Sequence, residues 1–350
     1  MHISDLKYIP LVLVLLLLVK SDVSYANASE KEELKKVKAR ISDAAAQPLK
    51  NAAVLKVAEF ETGTAENCLG VLKTHTGKVP FGMFNAPSSF FVDEKQNLYI
   101  IDCRNYRISV FDLKEKCDFV KSINYFTDKE HIAHMIDLAV TPDGSIYLGD
   151  NKNLSVVKFS SLGIPEAVFG AKEKEFSGLK QINEIAVDKK NVLYVKDYVQ
   201  RKIFKFASNG KKSSYDGEIA FTSGLCFFSD NAHPYFEFHE DSKSWKVFAA
   251  LADGEVEKMI TEIKRESPDQ NIQFIGIDSV DNLYIKSFSR GAIEIIRVSR
   301  DGKTVDKFAG HNQPDFDATR FFFVDPVKKS VYAVKYNGKN IQIDELLKTK

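Results

Sequence analysis

The chain reads as an all-β protein, a six-bladed β-propeller with four-stranded blades, and three observations carry that expectation. One apolar anchor recurs six times, as Val92, Val140, Val187, Phe228, Ile277 and Val324, at intervals of 48, 47, 41, 49 and 47 residues. A tyrosine follows seven residues after each of the first five anchors (Tyr99, Tyr147, Tyr194, Tyr235, Tyr284) and eight after the sixth (Tyr332). Around these pairs, short β-branched and aromatic runs alternate with Asp-, Asn- and Gly-containing turns, the pattern of strands joined by hairpins. Self-similarity at such a period marks a repeat architecture.

The elements follow in chain order. Ile9 to Val19 form an uncharged apolar run after Lys7, and a polar stretch then ends in Ala26-Asn27-Ala28. This is the three-part plan of a secretory signal peptide cleaved after Ala28, and the run is too short for a stable membrane span. Residues 29–48 form the next unit. Ser29 and Glu32 have capping-box spacing, and Leu34, Val37 and Ile41 recur at helical period until Pro48, so a short amphipathic helix is expected as a spacer. Residues 49–350 hold the propeller.

Within each repeat the anchor lies on one strand, a turn such as Pro142-Asp143-Gly144 follows, and the tyrosine opens a second strand. A third strand ends in Phe111, Phe159 or Phe206 in the first three repeats, and a fourth follows turns such as Arg300-Asp301-Gly302. A lone four-stranded sheet leaves both faces uncovered, whereas six sheets set radially cover one another. Most of the 26 phenylalanines, among them Phe90, Phe91, Phe227, Phe274, Phe321 and Phe323, are assigned to this packing. The sixth repeat runs out of chain before a fourth strand, so Val54 to Phe60 or Cys68 to Thr74 is expected to complete the last blade and close the ring.

Lys and Arg number 49 against 48 Asp and Glu. This balance excludes the clustered basic excess that displaces phosphate counterions, and with it a nucleic-acid partner. Cys68, Cys103, Cys117 and Cys226 match no zinc spacing and read as small buried strand residues. Cys103 and Cys117 flank a strand roughly 17 Å long, too far for a disulfide.

The first repeat contains Pro87, Val92, Asp93, Tyr99, Asp102, Asn105, Arg107, Ile108 and Phe111 in order, and so resembles the NHL repeat. The third retains Tyr194, Asp197, Lys202, Ile203 and Phe206, and the second Tyr147, Asp150 and Phe159. The resemblance implies a bacterial exported propeller, with Asp102 and Arg107 as a structural ion pair. Some propellers similar to NHL proteins are metal-dependent lyases or lactonases, with histidines or convergent Asn, Asp and Glu at the channel mouth.

Loops entering the innermost strands and loops joining the second and third strands share one face of a propeller. Four residues before each anchor stand Ser88, Ile136, Asn183, Gly224, Gln273 and Arg320, a ring expected to line the channel mouth. Asp102, Asp150, Asp197, His239, Lys286 and Tyr336 come from the second set of loops, and His134 lies two residues before Ile136. Ser88, His134, Asn183, His239, Gln273 and Arg320 are accordingly the candidate ligand-binding residues. The ring has no histidine set for zinc. Asn183 with Asp150 and Asp197 supplies part of a calcium set, and no nucleophile elbow or phosphate loop occurs.

The expected function is therefore that of a non-enzymatic periplasmic or secreted binding scaffold without metal or other cofactor. It would present the channel mouth to an exported protein, peptide or glycan, since binding residues concentrate on loops held by rigid elements. The alternative is a metal-dependent hydrolase or lyase with its site at the same mouth.

Overall fold

The computed structural model describes residues 54–71, 85–114, 117–125, 134–170, 178–208, 212–213, 224–250, 256–289, 292–308, 320–337 and 339–349. The signal peptide and the helical spacer lie outside the described residues. Every regular element described is a strand, and the strands form six antiparallel sheets in propeller arrangement.

Blade 1 comprises Phe90–Val92, Asn97–Asp102, Arg107–Asp112 and Asp118–Asn124. Blade 2 comprises Met135–Val140, Ile146–Asp150, Ser155–Phe159 and Pro165–Phe169, and blade 3 Ile182–Val187, Leu193–Asp197, Lys202–Phe206 and Lys212–Ser213. Blade 6 takes Phe322–Asp325, Ser330–Tyr336 and Asn340–Leu346 from the C-terminal end and Val54–Glu61 from the other. The register runs from Val54 opposite Leu346 to Glu61 opposite Asn340, so the first of the two segments available for closure is the one that completes the ring.

Two blades depart from the four-stranded plan. Blade 5 holds Asn271–Ile277, Leu283–Ser289, Ala292–Val298 and Thr304–Phe308, and gains a fifth strand when Lys348–Thr349 crosses from blade 6 onto its outer edge. Blade 4 has only His233–His239, Ser244–Ala250 and Val256–Lys264 among the described residues. Its innermost segment, 224–228, does not join the ladder. Pro234 on the adjoining strand has no N–H to offer it, and the Leu225 N–H is given to the Glu184 carboxylate of blade 3 at 2.8 Å.

The anchor and tyrosine repeat has a direct physical basis. In blades 1, 3 and 5 the residue after the anchor is an aspartate, Asp93, Asp188 or Asp278. One carboxylate oxygen accepts two backbone N–H groups of the following turn (for Asp188, those of Lys190 and Val192, both 2.9 Å). The other accepts the repeat tyrosine hydroxyl at 3.2 Å in all three blades. Each such aspartate thus fixes a hairpin and satisfies a hydroxyl that the tyrosine ring carries into the core.

The core is divided among the blade interfaces. Six buried apolar clusters are found among the described residues, one for each adjoining pair of blades. Phe90 of blade 1 stacks on Phe323 of blade 6 with centroids 6.0 Å apart, Phe227 lies 4.3 Å from Tyr194, and Phe274 meets Phe236 edge-on at 5.6 Å. Cys103 and Cys117 are buried thiols whose ionisation burial pushes up to about 12.

Candidate functional site

A central channel of ≈ 1490 Å³ runs between the innermost strands. Asn183, Gln273 and Arg320 line it, whereas Ser88, His134 and His239 lie outside that lining. Ser88 is buried, and its hydroxyl donates to the Met135 carbonyl of the next blade at 3.1 Å. His134 gives its backbone N–H to Asp150 at 3.0 Å. His239 closes the first strand of blade 4, with Nε2 3.6 Å from the Glu237 carboxylate on the same strand.

Arg320 is more committed than a free ligand group. Its Nη2 donates to Asp137 Oδ2 of blade 2 and to the Ile185 carbonyl of blade 3, each at 2.8 Å, and stands 4.0 Å from Glu184. Blade 3 faces blade 6 in a ring of six, so this side chain crosses the axis. Asp137 also accepts the Ser89 hydroxyl at 2.6 Å and the Ile185 N–H at 2.9 Å. Burial weighs against the guanidinium charge, but Asp137 and Glu184 more than offset this and keep Arg320 protonated. Burial likewise raises the Asp137 carboxyl above the usual carboxylate range, against the pull of Arg320. A close approach completes the hub: a Cβ on Gly224 would come within 2.1 Å of the Phe274 carbonyl oxygen, so only glycine fits there.

Asp137 and Glu184 stand three residues before their anchors, one place along from the ring expected from sequence. The cause is a register shift in the innermost strand, between Met135 and Asp137 in blade 2 and between Ile182 and Glu184 in blade 3. A bulge re-aims the side chains beyond it, and neither repeat carries a glycine at the shift to announce it.

The wall of the channel around blades 4 and 5 combines aromatic rings with cations. Phe236, Phe238, Trp245 and Phe288 line it, with Arg265 and Lys286. The Arg265 guanidinium lies 5.0 Å from the Phe238 centroid and 5.9 Å from that of Trp245, and its Nε donates to the Ser267 carbonyl at 3.0 Å. Lys286 Nζ lies 4.8 Å from the Phe288 centroid and 5.5 Å from that of Phe322. Burial pushes the Lys286 ammonium down to about 8. Tyr198 and Val199, 57% and 60% exposed, stand at the rim. One sequence signal points to this wall: Lys196 and Lys286 each follow a repeat tyrosine by two residues and so share its face of the strand.

The calcium set suggested by Asn183, Asp150 and Asp197 does not fit. Asp150 accepts backbone N–H groups from His134 and Lys152 and the Asn153 amide, and Asp197 accepts those of Lys180, Gln181 and Gln200. These carboxylates cap turns. No group of three His, Cys, Asp or Glu side chains among the described residues is placed to hold a metal ion. Asp102 pairs with Arg107 at 3.2 Å and accepts the Gly70 N–H at 2.9 Å, a structural arrangement.

The chain shares its fold with a member of the DUF4221 family from Bacteroides vulgatus, at 9% identity and a TM-score of 0.53 over 85% of this chain and 98% of that one. Virginiamycin B lyase from Staphylococcus aureus is also similar, at 14% identity and a TM-score of 0.47 over 75% of this chain and 95% of that one. So is a gluconolactonase from Xanthomonas campestris, at 12% identity and 0.47 over 85% and 99%. No family model matches the sequence, and no curated protein matches it. The chain is a six-bladed β-propeller.

Proposed function

We propose that this propeller is an exported, non-enzymatic binding protein that takes its ligand or partner at the channel mouth. The observation that carries the reading is the mouth itself: a channel of ≈ 1490 Å³ whose wall sets Arg265 and Lys286 against Phe238, Trp245 and Phe288, below a rim with exposed Tyr198 and Val199. Aromatic bodies flanked by a few polar groups suit recognition, and the carboxylates nearest the axis are occupied in holding blades together. The NHL-like repeats and the signal-peptide pattern support an extracytoplasmic location, and with it an exported protein, peptide or glycan as partner.

The reading is tested by placing a photo-crosslinking amino acid at Tyr198, on the mouth face, and at Val280, an exposed residue in a turn at the opposite ends of the strands. Illumination in the native envelope is expected to yield one adduct from position 198 and none from 280. Adducts from 280 alone, or from neither, would overturn it.

A further inference from the structure

The second strands of blades 3 and 5 each send a lysine to the channel wall from the same register position, which allows a comparison within one molecule. In blade 3 Lys196 is directly opposite Glu184 on the neighbouring strand, and the two charges meet at 3.5 Å. In blade 5 the residue directly opposite Lys286 is Gln273. An amide thus occupies the place of the carboxylate, and no acid pairs with Lys286 among the described residues.

We propose that the channel wall of blades 4 and 5 is a site for the carboxylate of an amphiphilic ligand, with Lys286 of blade 5 taking the head group and the Trp245 and Phe238 wall of blade 4 taking an aromatic or alkyl body. This rests on the reading that the mouth is the binding face, and names the chemistry bound there. An ammonium half-buried against Phe288 and Phe322 has lost water without gaining a counter-charge, and a ligand carboxylate at Gln273 would supply it. Gln273 keeps an amide N–H to offer the second oxygen. Arg265, stacked on the two rings, adds a further cation beside the apolar body. The lowered ionisation of Lys286, to about 8, leaves it charged at neutral pH.

The probe is 2-naphthoate, with neutral 2-naphthamide as control, measured by calorimetry and by the emission of Trp245, the single tryptophan of the chain. One naphthoate is expected to bind per chain, at least tenfold tighter than the amide, and to weaken as pH rises through about 8. Lys286→Met should cost tenfold or more in naphthoate affinity and leave the amide unchanged. Gln273→Glu restores the arrangement of blade 3 and should abolish naphthoate binding without loss of fold. Equal affinity for the amide, no binding of either, or unchanged naphthoate affinity in both variants would overturn the site. If naphthoate fails while position 198 still yields its adduct, only the carboxylate site falls; loss of both removes the mouth as a binding face.

Discussion

Arg320 of blade 6 donates to Asp137 of blade 2 at 2.8 Å, joining blades that are not neighbours in the ring. Removing one member of a buried pair strands the other charge, at a cost of about 3–5 kcal/mol, whereas replacing both with apolar groups costs far less. Arg320→Met is therefore expected to destabilise the domain by about that amount, and Arg320→Met with Asp137→Leu to regain much of it. Denaturant unfolding of the four-member cycle measures the coupling. Arg320 is consequently a poor position for probing ligand capture, and Gln273 a better one.

Acid should weaken the fold through His233. Its imidazole is buried at the start of blade 4, and burial, with Lys205 nearby, lowers its ionisation to about 4. The unfolded chain binds the proton near pH 6.5 and the folded chain near 4, so stability falls as pH drops through that window. His233→Gln should flatten the dependence between pH 6.5 and 4, as read by melting temperature across buffers.

Lys286 should show the opposite end of the scale. Its ionisation is about 8 when folded against 10.5 as a free side chain, so the folded state carries the full cost of the buried charge below pH 8 and sheds it between 8 and 10.5. Lys286→Met is expected to melt a few degrees above the parent protein at pH 7, with the difference gone above pH 10.5. An unchanged difference at both pH values would show that packing, not charge, is responsible.

Closure of the ring rests on Val54–Glu61. Phe60 is buried there, with its ring 4.4 Å from Phe111 of blade 1. Phe60→Ala should cost about 3–5 kcal/mol, typical of a deleted core aromatic. Removing residues 49–61 should unfold blades 6 and 1 first, visible as early amide exchange at Ile341, Ile343 and Leu98.

The repeat is legible in blades 1, 3 and 5 because one aspartate, one turn and one tyrosine form a closed hydrogen-bonded unit there, and that unit forces a spacing. Phe228 and Tyr235 keep the spacing that predicts four strands in blade 4, yet Pro234 and the diversion of the Leu225 N–H to Glu184 leave its innermost segment outside the ladder. Of the expected mouth residues, Asn183, Gln273 and Arg320 reach the channel. Asp137 and Glu184 are not legible from the spacing because a bulge shifts the position by one residue, and strand periodicity has no memory of it. Trp245 sits on the second described strand, and Arg265 just past the end of the third, of a blade with little repeat character, where only three-dimensional packing brings them to the channel wall.

Val54 and Leu346 lie 292 positions apart and are paired. Loop-closure entropy must be met before so distant a contact contributes anything, which slows folding. At ordinary rates of synthesis, about 5–20 residues per second, the first strand waits roughly 15–60 s for its partner. Throughout that interval Val54–Glu61 is an unpaired strand edge, the kind of template on which other chains aggregate. Refolding yield should therefore fall steeply with protein concentration, and a free peptide copy of residues 54–61 added during refolding should compete for the last blade.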